Sequence, residues 1–317
     1  MAAQLVSHRL MAEVHQLILD HGIAAARAMA AGKMDRALID AAAAFMGAED
    51  RRLGLTHAGW AYCNLPHKDT QESSWVQHGH KVTLIVQSGL DRNRQPIGIP
   101  YGATARLVLL YLQSQAIRSN SREVELGRSM GSWLGSLGLS DGGKTYRIVQ
   151  EQSRRISACQ LSFLGFDDDG AEILRLNGAF VEQAITFRPG DLHQESLWRE
   201  TVTLNEVYFQ SLKKRAVPLL QAAIAAISNR SMALDVYTWL AYRLHALDES
   251  IVVNWVSLHQ QFGSGFKELR KFRVTFIEAV RFAMAVYPEA KVRIEPHGLV
   301  LAPSAPPVAK RAVASRA

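Results

Sequence analysis

Cysteine is scarce in this chain of 317 residues: the two present, Cys63 and Cys159, lie far apart and form no CxxC pair. That argues against a disulfide framework and against the usual zinc modules, and it points to a reducing, cytoplasmic setting. Long hydrophobic runs are missing too. No window approaches about eighteen uninterrupted apolar residues, so no membrane-spanning helix is expected. The N-terminal stretch MAAQLVSHRLMAEVHQLILDHG carries polar residues throughout and lacks the apolar core of a secretory leader.

What is present is an ordinary globular composition, 48% hydrophobic and 21% charged, with an excess of cations. Lys and Arg number 36 against 29 Asp and Glu, a formal charge of +7. Such a balance favours an anionic partner, nucleic acid or an anionic surface, although many enzymes are equally basic. The length suits one or two domains.

Apolar positions from Leu5 to Met46 recur at helical spacing, so residues 1–50 are expected to form a helical N-terminal segment. The stretch from His57 to Gln77 has scattered aromatics and no period, and Lys81 to Gly89 (KVTLIVQSG) reads as a strand. Pro100 opens a helix. A short alternating run follows (Arg122 to Leu126), then a short helix through Met130 to Leu137, a glycine-rich turn, a long helix through Lys144 to Cys159, and two β-like runs joined by DDDG.

The second half repeats this order with other residues: helices at Pro218 to Ser228 and Ser231 to Ala246, a strand at Ser250 to Trp255, a short helix, an FGSG turn, a long helix from Phe266 to Tyr287, and a closing hairpin. The expected fold class is α+β, mainly helical, with two tandem winged-helix domains after the N-terminal segment. The expected domains are 51–190 and 191–302, and the Ala/Pro/Ser-rich 303–317 is expected to be a disordered tail.

The stretch GLSDGGKT, Gly138 to Thr145, fits the phosphate-loop pattern G-x-x-x-x-G-K-[ST], and Asp167 to Asp169 further on suggest a magnesium-holding carboxylate. A phosphate loop, however, must follow a buried strand. The preceding RSMGSWLGSL reads as a short amphipathic helix, and DDDG is explained as a hairpin turn. A helix-turn-helix glycine turn therefore outweighs a nucleotide site. His57, Cys63 and His67, with H-x5-C-x3-H spacing, lack a fourth metal ligand nearby. No catalytic triad, metal or cofactor is expected, and the chain is not read as an enzyme.

On a wheel of about 100° per residue, Ile148, Val149, Ile156 and Cys159 form the packing side of the first long helix. Lys144, Arg147, Arg154 and Arg155 form a cationic side, flanked by Gln150 and Ser157. In the second long helix Phe266, Leu269, Phe272, Phe276, Ile277 and Val280 pack, whereas Lys267, Arg270, Lys271 and Arg281 cluster opposite. Arg273 points near the apolar arc, and Glu278 interrupts the stripe. A solvated charged face is the plain alternative. Four cations against one acid, Glu151, favour phosphate contact on the first helix, and these eight Lys and Arg are the candidate DNA contacts.

The long run GIPYGATARLVLLYLQSQAIRSNSREVELGRSMGSWLGSLGL resembles the middle of plasmid-encoded RepA-type replication initiator proteins. GWAYCNLPHK, the GGK turn and VYPEAKVRIEPHGLVLAPSAPPV follow the same family's order, leaving the alanine-rich N-terminus unmatched. The resemblance implies a sequence-specific protein that binds double-stranded DNA at repeated plasmid-origin sites (iterons). It also implies help in melting the duplex and recruitment of host replication initiator and helicase proteins. A winged-helix transcriptional regulator, including one that represses its own gene, is the other reading, because fold does not fix function. A homodimer through the N-terminal helices or the Lys81 to Gly89 strand stays open, as does a purely structural role for that strand in the first domain's sheet.

Overall fold

In the computed structural model, residues 2–49, 52–127, 129–167, 169, 172–182 and 201–309 are described. The chain starts with α1 (Ala2–Met29), bent at Gly22, whose φ of 77° is open to glycine alone without strain. α2 (Lys33–Met46) buries Leu38, Ile39, Ala41 and Ala42. β1 (Leu53–His57) and α3 (Gly59–Tyr62) lead to the hairpin β2 (Ser74–Gly79) and β3 (Val82–Gln87). Next come α4 (Gly102–Ser119), β4 (Glu123–Glu125), α5 (Met130–Ser136), α6 (Gly143–Ala158), β5 (Gln160–Phe166) and β6 (Glu172–Ala179).

The second half runs β7 (Thr201–Thr203), α7 (Glu206–Lys214), β8 (Ala216–Leu220), α8 (Gln221–Ala226) and α9 (Ser231–Arg243). It closes with β9 (Ile251–Asn254), α10 (Trp255–Phe262), α11 (Leu269–Ala285), β10 (Val292–Glu295) and β11 (Gly298–Leu301). No helix among the described residues is long and apolar enough to cross a membrane.

The architecture is α+β, as expected, and its centre is a pair of packed helices, α4 and α9. Both are buried along most of their length, α9 continuously from Met232 to Ala241. A helix that is covered all round has no polar stripe to display, which is why the periodicity of both segments is weak. α6 packs on α4 and α11 packs on α9, so the two basic helices are carried by one central layer.

Three findings depart from the sequence reading. First, Pro218 lies in strand β8, not in a helix; β8 pairs antiparallel with β1, Pro218 facing Leu55. Among the described residues this two-stranded ladder has no third strand, so the missing proline N–H costs no bond on a further neighbour there. The pairing joins a strand of the first half to one of the second. The expected boundary at residues 190 and 191 lies outside the described residues, and the buried side chains on its two sides form one continuous cluster.

Second, the sheet of the first half differs from the expected winged helix. Its hairpin β5–β6 is extended by β3 and then β2, in the order β2-β3-β5-β6, while the three-residue β4 pairs with β7. β4, the counterpart of β9, pairs with β7 and not with β6, so the three-stranded order β10-β11-β9 of the second half is not repeated. Third, residues 303–309 are packed. The Tyr287 hydroxyl donates to the Ala305 carbonyl, Ser304 N–H donates to the Leu244 carbonyl, and Val308 is buried. Residues 310–317 of the expected tail lie outside the described residues.

The N-terminal helices also pack where sequence order does not place them. α2 lies against α8 and α11, and α1 touches α11, with His15 Nε2 2.8 Å from the Ala285 carbonyl oxygen. The segment that precedes the first half thus covers the second.

Candidate nucleic-acid interface

Helix α6 is positioned by a short helix and a glycine stop. Ser129 caps α5 through its hydroxyl, which accepts from Ser132 N–H at 3.2 Å. Gly138 then adopts φ 70°, and the Leu139 N–H returns to the Leu134 carbonyl at 2.9 Å. GLSDGGKT therefore follows a helix, where a phosphate loop needs the end of a strand.

From that turn α6 projects Lys144, Arg147 and Arg154 into solvent, with Ile148 also exposed at 40%. These positions follow helical spacing and form one face, while Val149, Gln152, Ser153 and Ile156 pack inward. The expectation for Ile148 is corrected: it stands among the cations.

Arg155 is corrected as well, since it does not belong to the exposed face. It is 9% exposed, and its Nη1 and Nη2 donate to Asp69 Oδ1 and Oδ2 at 3.0 and 2.9 Å. Nε donates to Glu151 at 2.6 Å, Nη1 also donates to the Ile99 carbonyl, and the guanidinium lies 5.0 Å from the Tyr101 ring centroid. Burial works against its charge, but the bonds to Asp69 and Glu151 outweigh that and raise its pKa. The bond from Arg155 correspondingly holds the Asp69 carboxyl low. Arg155 ties α6 to the segment before α4, leaving a guanidinium with little capacity for a phosphate.

At the start of α11, Lys267, Arg270 and Lys271 are exposed, Lys267 standing just before the N-cap residue Glu268. Lys271 Nζ reaches Glu268 Oε1 at 2.6 Å, a solvent-exposed pair of small worth. Leu269, expected in the core, is 38% exposed. Arg281 is partly buried near the far end of the helix, away from the cluster at its start. Arg273 lies 4.7 Å from the Trp255 ring centroid, with Nη2 3.4 Å from the Pro296 carbonyl oxygen, so it braces α11 against α10 and the β10–β11 turn.

The structure thus gathers Lys144, Arg147 and Arg154 on one helix face and Lys267, Arg270 and Lys271 around one helix start. Arg155 is withdrawn and Arg281 set apart. Further exposed cations were missed by the wheels. Arg293 projects from β10, and Arg92 and Arg94 lie on the loop between β3 and α4. Lys213, Lys214 and Arg215 end α7, and that cluster is legible in the sequence as a local KKR run.

His57 and Cys63 are packed against protein partners, His67 Nδ1 lies 3.0 Å from Ser231 Oγ, and no metal-holding group of His, Cys, Asp and Glu exists among the described residues. Gly59 N–H donates to His57 Nδ1 at 3.0 Å, so the neutral ring carries its proton on Nε2, 2.9 Å from Ser211 Oγ. Burial, aided by Arg215, lowers His57 to about 4, and burial with Arg106 lowers His67 to about 3. Cys63 Sγ lies against the Gln77 and Val82 carbonyls, and burial pushes its thiol up to about 12.

Residues 99–256, about half of the chain, match the family described as plasmid encoded RepA protein. The match runs from the start of α4 through β9, so it includes α6 and ends before α11. No curated protein matches the chain. Among solved structures, the chain is similar to a selenomethionine derivative of domains 2 and 3 of RctB, with TM-score 0.48 and 13% identity over 71% of this chain and 83% of that one. A second structure of RctB domains 2-3 matches with TM-score 0.46 and 12% identity over 76% of this chain and 93% of the other.

Proposed function

Because the chain belongs to the plasmid-encoded RepA family through residues 99–256, we propose that it is a sequence-specific, double-stranded DNA-binding plasmid replication initiator. It recognises repeated sites at the plasmid origin, promotes opening of the duplex, and recruits host initiator and helicase proteins. It works in the cytoplasm, without a cofactor and without catalytic chemistry of its own.

The observation that carries this reading is the exposed cationic start of α11 within the element order α9-β9-α10-α11-β10-β11 and the sheet order β10-β11-β9. That order supports a winged helix in which α11 is the recognition helix and β10–β11 the wing. The first turns of such a helix enter the major groove, which is where Arg270 and Lys271 stand. We assign base reading to that helix, and phosphate grip to Lys144, Arg147 and Arg154 on α6.

Both helices rest on the α4–α9 layer, so their spacing is set by packed core and not by a linker. A plasmid carrying only the cognate origin, maintained when this chain is supplied in trans, tests the initiator role. Loss of that plasmid alongside intact repression of the chain's own promoter supports a transcriptional regulator instead.

A further inference from the structure

Two clefts of about 620 and 640 Å³ meet at the β2–β3 turn, where His80 and Lys81 line both. The first lies between the two halves, walled by Phe166, Tyr62 and Tyr242, with Lys214 and Arg215 at the end of α7 on its rim. The second continues past the turn to Arg243 and the outer edge of β9. Their described lining holds Lys81, Lys214, Arg215 and Arg243 and not one Asp or Glu.

We propose that the two clefts form one track for a single strand of nucleic acid, apart from the helices assigned to the duplex. The proposal rests on the DNA-binding reading above. Each cleft is of the size that holds a small organic ligand, and the two in series suit a chain of such units. Cations without carboxylates suit a backbone of repeated phosphodiesters, and aromatic walls suit bases, the combination that defines single-strand grooves. Arg243 lines the second cleft, and its Nε is buried without a hydrogen-bond partner among the described residues. Tyr62 and Tyr242 hydroxyls lie 2.9 Å apart and fix the aromatic wall between the halves.

The test is fluorescence anisotropy with a labelled oligothymidylate of about ten nucleotides, beside an origin duplex, using the full chain. The unaltered protein is expected to bind both. Replacing Lys214, Arg215 and Arg243 by Ala together is expected to weaken the oligothymidylate and to flatten its salt slope by about 2, at about 0.7 per lost cation, with duplex affinity kept. Retained duplex binding shows that the variant is folded, and Lys214→Glu, at an exposed helix end, provides a milder second variant. Arg270→Ala is expected to do the reverse.

Duplex binding without oligothymidylate binding overturns the track and leaves the duplex reading standing. Oligothymidylate binding without duplex binding supports the track and sinks the duplex reading. Equal competition by polyglutamate assigns the clefts to acidic protein segments, and equal competition by thymidine monophosphate assigns them to a mononucleotide; either result overturns the proposal.

Discussion

Arg106 of α4 and Asp235 of α9 form a two-pronged buried ion pair, Nε to Oδ1 at 2.6 Å and Nη2 to Oδ2 at 2.7 Å. The same guanidinium donates to the Leu65, Pro66 and Gly102 carbonyls, so it gathers the loop between α3 and β2 as well as the two central helices. Burial pushes the Asp235 carboxyl up, and the Arg106 charge pulls it back.

Breaking one side of such a pair leaves an uncompensated buried charge. Asp235→Ala is expected to cost about 3–5 kcal/mol of stability, read by urea or thermal unfolding. The paired replacement Arg106→Met with Asp235→Leu is expected to cost less than Asp235→Ala alone. A loss below about 1 kcal/mol for Asp235→Ala contradicts the role given to this pair.

Neighbouring arginines on α6 are expected to behave oppositely. Arg154→Ala weakens origin and random DNA alike and flattens the salt dependence by about 0.9. Arg155→Ala lowers stability by about 2–3 kcal/mol through its lost charged hydrogen bonds, and leaves the salt slope of the folded protein unchanged. The two salt slopes, measured with melting curves, decide this; a slope change for Arg155→Ala at unaltered melting temperature contradicts the ion-pair account.

Acid is expected to destabilise the fold through its buried imidazoles. His57 and His67 titrate at about 4 and about 3 in the fold, below the unfolded value near 6.5. The unfolded chain therefore takes up protons first as pH falls. Stability from these neutral rings is full above about 6.5 and declines toward pH 4, on the order of 3 kcal/mol for His57. Urea midpoints across this window check it, and His57→Asn is expected to give the shallower pH dependence.

The GLSDGGKT stretch is expected to bind DNA and not nucleotide. The purified chain should show no ATP hydrolysis, and Lys144→Ala should weaken DNA binding by about 1 kcal/mol or less, as one exposed phosphate contact. Isothermal titration with magnesium-ATP is the check, and tight binding abolished by Lys144→Ala contradicts the glycine-turn account.

Much of the fold is legible because local signals set it. β3, β4, α5, α6, the β5–β6 hairpin, α9, β9, α10 and α11 follow from alternation, helical spacing and turn residues. What fails is decided by distant partners. Arg155 sits beside exposed Arg154 in sequence, and only Asp69, brought in from before α4, withdraws it. Pro218 reads as a helix opener until β1 offers a ladder. The tail at 303–309 is compositionally loose, yet Tyr287 and Leu244 give its backbone hydrogen-bond partners. The clefts between the halves are likewise invisible in sequence, since Lys81, Lys214 and Arg243 meet only in the fold.

The central claim is that α11 reads bases while α6 grips phosphates, and competition binding measures it most directly. Origin-repeat and random duplexes are to be titrated against the unaltered protein, Arg270→Ala and Arg154→Ala at several salt concentrations. Arg270→Ala is expected to lose about 1–3 kcal/mol on the origin repeat alone and to blur preference at one base pair. Arg154→Ala should weaken both duplexes equally. Equal weakening by Arg270→Ala, with selective loss of the origin repeat in Arg154→Ala, contradicts the assignment of the two helices.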